Sequence, residues 1–196
     1  MIGADLLHSV KFRLGLEAAN TQTTPEERET VKKYAQGRKM GVEIGVYEAV
    51  NTVIIAQQMD ASAKLIGIDP FFKGKLGVCY SKIVSIANLK RNKVAHKVTL
   101  VEKLSADAAP DVKEELDFIF IDGDHSYEGL KTDWELYSPK LKTGAIILLH
   151  DTTVPDFDPE RARFGSIRYF NETILKDPNY QHLETMHSMN VLKKVG

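Results

Sequence analysis

Cysteine is nearly missing from this sequence: Cys79 is the only one in 196 residues. No intrachain disulfide can form, and a Cys-based zinc site would need ligands of other types. A lone thiol of this kind ordinarily fills a small buried apolar position. An excess of either charge is missing too. The 26 Lys and Arg against 27 Asp and Glu leave a formal net charge of −1, which gives no bulk electrostatic reason for nucleic acid or a membrane surface as the main partner. No apolar run approaches the ~20 residues that a membrane-spanning helix needs. The opening MIGADLLHSVKFRLG sets Asp5 and His8 among its apolar residues and has neither a secretory core nor a small-residue cleavage site, so a cytoplasmic protein is the expectation. Repeats, low-complexity tracts and an internal linker are all lacking.

What is present is an average soluble composition, 43% hydrophobic and 27% charged, which excludes disordered, collagen-like and fibrous chains. The length suits one domain, 1–196. Thr24-Pro25-Glu26-Glu27 combines a capping residue, Pro at the first helical position and a capping-box Glu, and predicts a helix to about Gly37. Short apolar runs of strand length follow at Val42–Val46, Leu65–Ile68, Val98–Val101, Asp117–Ile121 and Ala145–Leu149, separated by stretches of helical spacing. Val50, Val53 and Ile54 fit one helix face, Ile83, Ile86 and Leu89 a second, and Tyr127, Leu130, Trp134 and Tyr137 a third. The aromatics of that last face read as core. Runs such as Phe118-Ile119-Phe120-Ile121 do not alternate with polar residues, as expected of parallel strands buried on both sides. Gln181–Met186 and Val191–Val195 read as a terminal hairpin. The irregular stretch 152–165 reads as a lid, with Ser166 capping a last helix. Five Lys or Arg in Lys82–Lys97 fit a solvated helix face better than a nucleic-acid surface.

In an open α/β sheet, ligands bind beyond the carboxyl ends of the strands. Those ends carry Glu43-Ile44-Gly45, Asp69-Pro70, Asp122-Gly123-Asp124-His125 and His150-Asp151. Each acid alone is explained as a cap or turn residue, but four strands delivering carboxylates to one rim point to a site. The first loop has only Gly45, with Ala49 at a later small position, so it lacks the Gly-x-Gly-x-x-Gly that seats a pyrophosphate, and a nicotinamide oxidoreductase is disfavoured. An acid within the first strand and Asp69, placed to accept from two ribose hydroxyls, suit a nucleoside carrying a cationic amino-acid end.

From about Gly41 onward the chain resembles the class I S-adenosylmethionine-dependent methyltransferases, through VEIGVYEAV, IGIDP, VEKLSAD, FIFIDGDHSYEGLKTDWELYSPKLKTGAIILLHDT and the final hairpin. IDGDHSYEG with the downstream LLHDT is similar to the small-molecule O-methyltransferase branch, which acts on sugars and natural products and includes metal-dependent members. The resemblance implies a Rossmann-like, doubly wound, mostly parallel seven-stranded sheet with helices on both faces and an antiparallel C-terminal hairpin. Residues 41–196 would form the cofactor core with its lid, and 1–40 a helical extension. It also implies that Glu43, Gly45 and Tyr47 surround the methionine part of the cofactor, that Asp69 holds the ribose, that Leu104 and Ser105 flank the adenine, and that Asp122 and His125 line the same site. Two departures stand out: Ala49 replaces a usual Gly, and Lys103-Leu104 replaces a usual Gly-Asp before Ser105, removing an acid near the adenine amino group.

Methylation of a poorly acidic hydroxyl needs a base or a metal beyond proximity. Asp122 and Asp151, at neighbouring strand ends, could face Mg2+ or another divalent cation, with His150 or Thr152 as third ligand. His125 and His150 are the candidate bases, while His125 also reads as a helix-entry residue or a partner of the adenine. The expected partner is a small hydroxylated acceptor, with a second copy of the chain completing the cleft as a further expectation. A degenerate cofactor-binding or assembly protein of the same fold is the alternative.

Overall fold

Thr24 caps the helix its sequence marks. Its hydroxyl accepts from the Glu27 N–H at 3.1 Å, and the Glu27 carboxylate accepts from the Thr24 N–H at 2.8 Å. The computed structural model describes residues 2–196, with side chains from Ala4 onward. Helices α1 (Ile2–Arg13) and α2 (Pro25–Ala35) lead into strand β1 (Met40–Ile44), helix α3 (Val50–Gln58), strand β2 (Lys64–Ile68), helix α4 (Tyr80–Arg91) and strand β3 (Val98–Val101). A short helix α5 (Ser105–Ala108), strand β4 (Leu116–Ile121), helix α6 (Tyr127–Tyr137), strand β5 (Leu141–Leu149), helix α7 (Gly165–Glu172) and the hairpin β6 (Tyr180–Met186) and β7 (Met189–Lys194) complete the chain.

The strands form one sheet in the order β3-β2-β1-β4-β5-β7-β6, parallel from β3 to β5 and antiparallel at β7 and β6. Ile44 lies level with Ile68 and Ile121, and Ile121 with Leu149, so the central strands end at one edge. The ladder runs one residue further. The N–H groups of Gly45, Asp122 and His150 donate to the carbonyls of Ile68, Ile44 and Ile121 at 2.9, 2.8 and 2.9 Å. That register, more than any loop, brings the strand-end acids together.

Both faces of the sheet are covered. Ile119 and Ile121 pack with Leu130, Trp134 and Tyr137 of α6 and with Tyr169 and Phe170 of α7. Phe118 and Phe120 pack on the other side with Val31 and Ala35 of α2 and with Val53 and Ile55 of α3. Alternate residues of one run therefore enter opposite cores, which is why the run carries no polar residues. Each fully buried side chain of this size contributes about 1.5–3 kcal/mol.

Several local expectations are corrected. Strand β1 spans Met40–Ile44 and not Val42–Val46, because the backbone turns at Gly45 (φ 91°). Ile86 is 38% exposed. The buried positions of α4 are Val84, Ser85, Asn88 and Leu89, a rotation held by the Asn88 amide, which donates to the carbonyls of Glu48 and Ala49. Ser166 lies inside α7 and donates its hydroxyl to the Asp151 carbonyl at 2.6 Å, so it ties the helix to the sheet edge instead of capping it. The stretch 152–165 is not wholly irregular, since Pro159–Arg163 forms a 3-10 turn. Cys79 is half-buried just before α4. No helix among the described residues is long and apolar enough to cross a membrane.

Candidate active site

Gly45 begins the site because no other residue fits there. A Cβ would stand 2.0 Å from the Asp122 carbonyl oxygen, and φ is 91°. The chain stays tight beyond it: Tyr47 and Ala49 also have positive φ, of 49° and 60°, a conformation that carries of order 1–3 kcal/mol of strain per residue. Asp69 holds this loop. One carboxylate oxygen accepts from the N–H groups of Val46 and Tyr47 at 3.0 and 2.9 Å, and the other from Phe71 at 2.7 Å. These charge-assisted bonds offset the strain.

The segment after β4 is built from turn chemistry. Asp124 accepts from the Ser126 N–H and hydroxyl, both at 2.9 Å, and Ser126 caps α6 by accepting from the Gly129 N–H at 2.9 Å. Gly129 has to be small, because a Cβ would lie 2.6 Å from the Asp124 side chain. His125 is left facing the rim, stacked on Phe164 at 5.3 Å between ring centroids.

Next to it lies a charged network. His150 is enclosed, its side chain at 0% exposure, with Nδ1 2.8 Å from Asp122 and Nε2 3.4 Å from Glu27. Burial pushes the imidazole down, but the carboxylates of Asp122 and Glu27 outweigh it and raise it to about 10. Burial likewise pushes Glu27 up, and the His150 cation brings it down to about 2. The same cation holds Asp122 below the usual carboxylate range against its own burial. Glu27 further accepts from the N–H and hydroxyl of Ser188 in the β6–β7 turn, at 3.0 and 2.7 Å. Asp151 binds the Arg161 guanidinium with one oxygen and lies 3.3 Å from His125 Nε2 with the other.

The donor set does not fit a divalent cation. Glu27, Asp122 and Asp151 are already matched by His150, Arg161 and His125. A metal at Asp122 and Asp151 would have to displace Arg161 and sit beside an imidazolium. Thr152, the other expected third ligand, is buried and donates its hydroxyl to the Leu149 carbonyl at 2.8 Å. Among the described residues no group of His, Cys, Asp or Glu is arranged to hold a metal ion.

Beyond the rim opens a cavity of about 840 Å³. Gly45, Tyr47, Asp69, Leu104, Ser105, Asp122 and His125, all expected at the cofactor, line it. Glu43, His150 and Asp151 are not among its lining residues. Glu43 is buried next to Thr52 of α3, with no hydrogen-bond partner for its carboxyl oxygens among the described residues, and burial pushes it well above the usual range. The lining acids are Asp69, Asp122, Asp124, Glu128 and Asp133, and the described lining contains no Lys or Arg. A site of that charge disfavours a pyrophosphate and suits a ligand carrying a positive centre and hydroxyl donors.

The comparisons with known proteins agree with the fold. The family model described as a methyltransferase domain matches residues 42–152. The chain belongs to that methyltransferase family. Its architecture, with the antiparallel strand β7 beside β5, is the Rossmann-like fold of the class I S-adenosylmethionine-dependent methyltransferases. Across 97% of this chain and 89% of the other, this methyltransferase superposes on the cofactor-bound Rv0187 from MTB with a TM-score of 0.71 at 16% identity. It superposes on the O-methyltransferase of Bacillus cereus, solved in complex with SAH, with a TM-score of 0.66 at 17% identity, over 97% and 91% of the two chains. Uncharacterized protein y4gI of Sinorhizobium fredii (strain NBRC 101917 / NGR234) is 32% identical over 88 residues, 42% of this chain. The match spans only 9% of that curated relative's length.

Sequence reasoning missed three residues of this rim and its cavity. Glu27 carried only its capping-box signal. Arg161 lay in a stretch read as a lid. Asp133 interrupts the apolar face of α6, a visible signal that reads as a surface-edge position until the cavity is seen.

Proposed function

We propose that this chain transfers a methyl group from S-adenosylmethionine to a hydroxyl of a small molecule, with His125 as the base. The observation that carries the reading is an acid-lined cavity, free of Lys and Arg in its described lining, that reaches His125 where Asp151 orients its ring. The cofactor supplies an electrophilic methyl group on a sulfonium. The chain does the rest: the loop at Gly45–Tyr47 and Asp69 hold the donor, and His125, with Nε2 directed to Asp151, keeps Nδ1 for the acceptor proton. His150 is a buried cation that fixes Asp122 and does not reach the cavity, so it acts as a positioning residue.

A mass-shift screen with labelled methyl donor identifies the acceptor, and His125→Asn is then compared with wild type. A drop in kcat of about 10²–10⁴, with donor affinity retained, is expected of a lost base. Unchanged turnover refutes the role of His125. Full activity is expected in EDTA. Loss in chelator with recovery on adding Mg2+ would instead place a metal at Asp122 and Asp151 and overturn the metal-free reading. Donor binding with no transfer to any acceptor would favour the degenerate alternative.

A further inference from the structure

Helix α6 carries an acid on its apolar face. Asp133 falls between Leu130, Trp134 and Tyr137, all buried, and is itself 2% exposed, yet it lines the cavity. Its hydrogen-bonding neighbour is the Ser105 side chain, and the second charge acting on it is another acid, Asp124. Burial pushes its carboxyl up to about 6, with Asp124 acting in the same direction. The surroundings are tight: a Cβ on Gly123 would lie 3.4 Å from Oδ2, and the Tyr137 hydroxyl donates to the Ser105 carbonyl at 2.7 Å. Ser105 offers this carboxyl a hydrogen bond but no positive charge, and a ligand donor in the cavity would offset its burial.

Its place in the cavity selects the donor. The Gly45–Tyr47 loop lies at the end of β1, and Asp69, at the end of β2, lines the same cavity with its carboxylate held by backbone N–H groups. Ile68, Pro70, Leu104 and Ala106 give the same cavity apolar lining, and Asp133 lies beside Ser105 and Gly123, which line it too. We propose that Asp133 accepts a hydrogen bond from the 6-amino group of the adenine, making the site selective for adenosyl over 6-oxopurine ligands. This rests on the cofactor reading above. A 6-oxopurine turns a carbonyl oxygen toward the carboxylate, removing the donor and adding repulsion.

The test is calorimetric titration of S-adenosylhomocysteine and S-inosylhomocysteine into wild type and Asp133→Asn, each checked for a cooperative melt. Wild type is expected to prefer the adenosyl ligand about 30-fold, as fits a lost hydrogen bond to a charged group. In Asp133→Asn the preference is expected to fall to about threefold, because the amide can donate to the 6-carbonyl. A wild type that binds both ligands equally, or a preference unchanged in the variant, overturns the proposal; if the variant does not fold, the wild-type ratio and the same pair in Asp133→Ser decide it. Wild type that binds neither ligand overturns the cofactor reading itself.

Discussion

Replacing Asp133 with Asn should make the ligand-free protein more stable at neutral pH. The carboxyl moves from an ordinary 3.8 to about 6 on burial, just over two units at about 1.4 kcal/mol each, so ionising it in the folded state costs about 3 kcal/mol. The folded chain therefore holds this proton more tightly than the unfolded chain. The contribution is favourable below the unfolded value and is lost as pH rises through about 6. Asn is neutral throughout and close in size. Urea denaturation without ligand should show the variant ahead of wild type by about 1 kcal/mol at pH 4.5 and about 3 kcal/mol at pH 8, with unchanged m values. A difference that is the same at both pH values, or a variant weaker than wild type at pH 8, would show that burial does not hold Asp133 protonated. A substitution that stabilises the protein while weakening ligand binding marks a group kept for function.

Other substitutions probe the rim. His150→Asn removes the cation between Glu27 and Asp122 and leaves two buried carboxylates facing each other, which should cost about 3–5 kcal/mol in urea denaturation near neutral pH; a loss under about 1 kcal/mol would mean the carboxylates do not depend on it. The wild-type contribution of His150 is fully present below pH 6.5 and lost as pH climbs through about 10, so the gap between the two proteins should narrow in alkali. Gly45→Ala drives a Cβ into the Asp122 carbonyl at a positive φ and should weaken S-adenosylhomocysteine at least about tenfold, consistent with ~1.4 kcal/mol or more of loop distortion. Arg161→Met releases one oxygen of Asp151 and should speed hydrogen exchange across residues 152–165; unchanged protection would show that this stretch is held by other contacts.

The architecture was legible because both faces of the sheet are buried. Ile119 and Phe120 enter different cores, so apolar runs mark the strands without alternation. The rim was legible for a related reason: parallel register places residues 45, 69, 122 and 150 at one edge, and three of the four runs end in an acid or His. The network around His150 was not. Its partner Glu27 lies 123 residues away and already had a complete local role in the capping box, so nothing in the sequence asked for a second. Asp69 was placed at the ribose on its carboxylate alone, while its bonds to the Val46 and Tyr47 N–H groups depend on the turn at Gly45, which composition does not encode. Ile86 misled because spacing cannot see Asn88 turning inward to the Glu48 carbonyl.

The acid-lined cavity at the carboxyl edge is expected to hold S-adenosylmethionine in one orientation. A crystal structure with S-adenosylhomocysteine tests it most directly. The expected pose has the amino-acid end at the Gly45–Tyr47 loop, the ribose at Asp69 and the adenine beside Ser105 and Asp133. Ligand density elsewhere, or with the two ends exchanged, would contradict it.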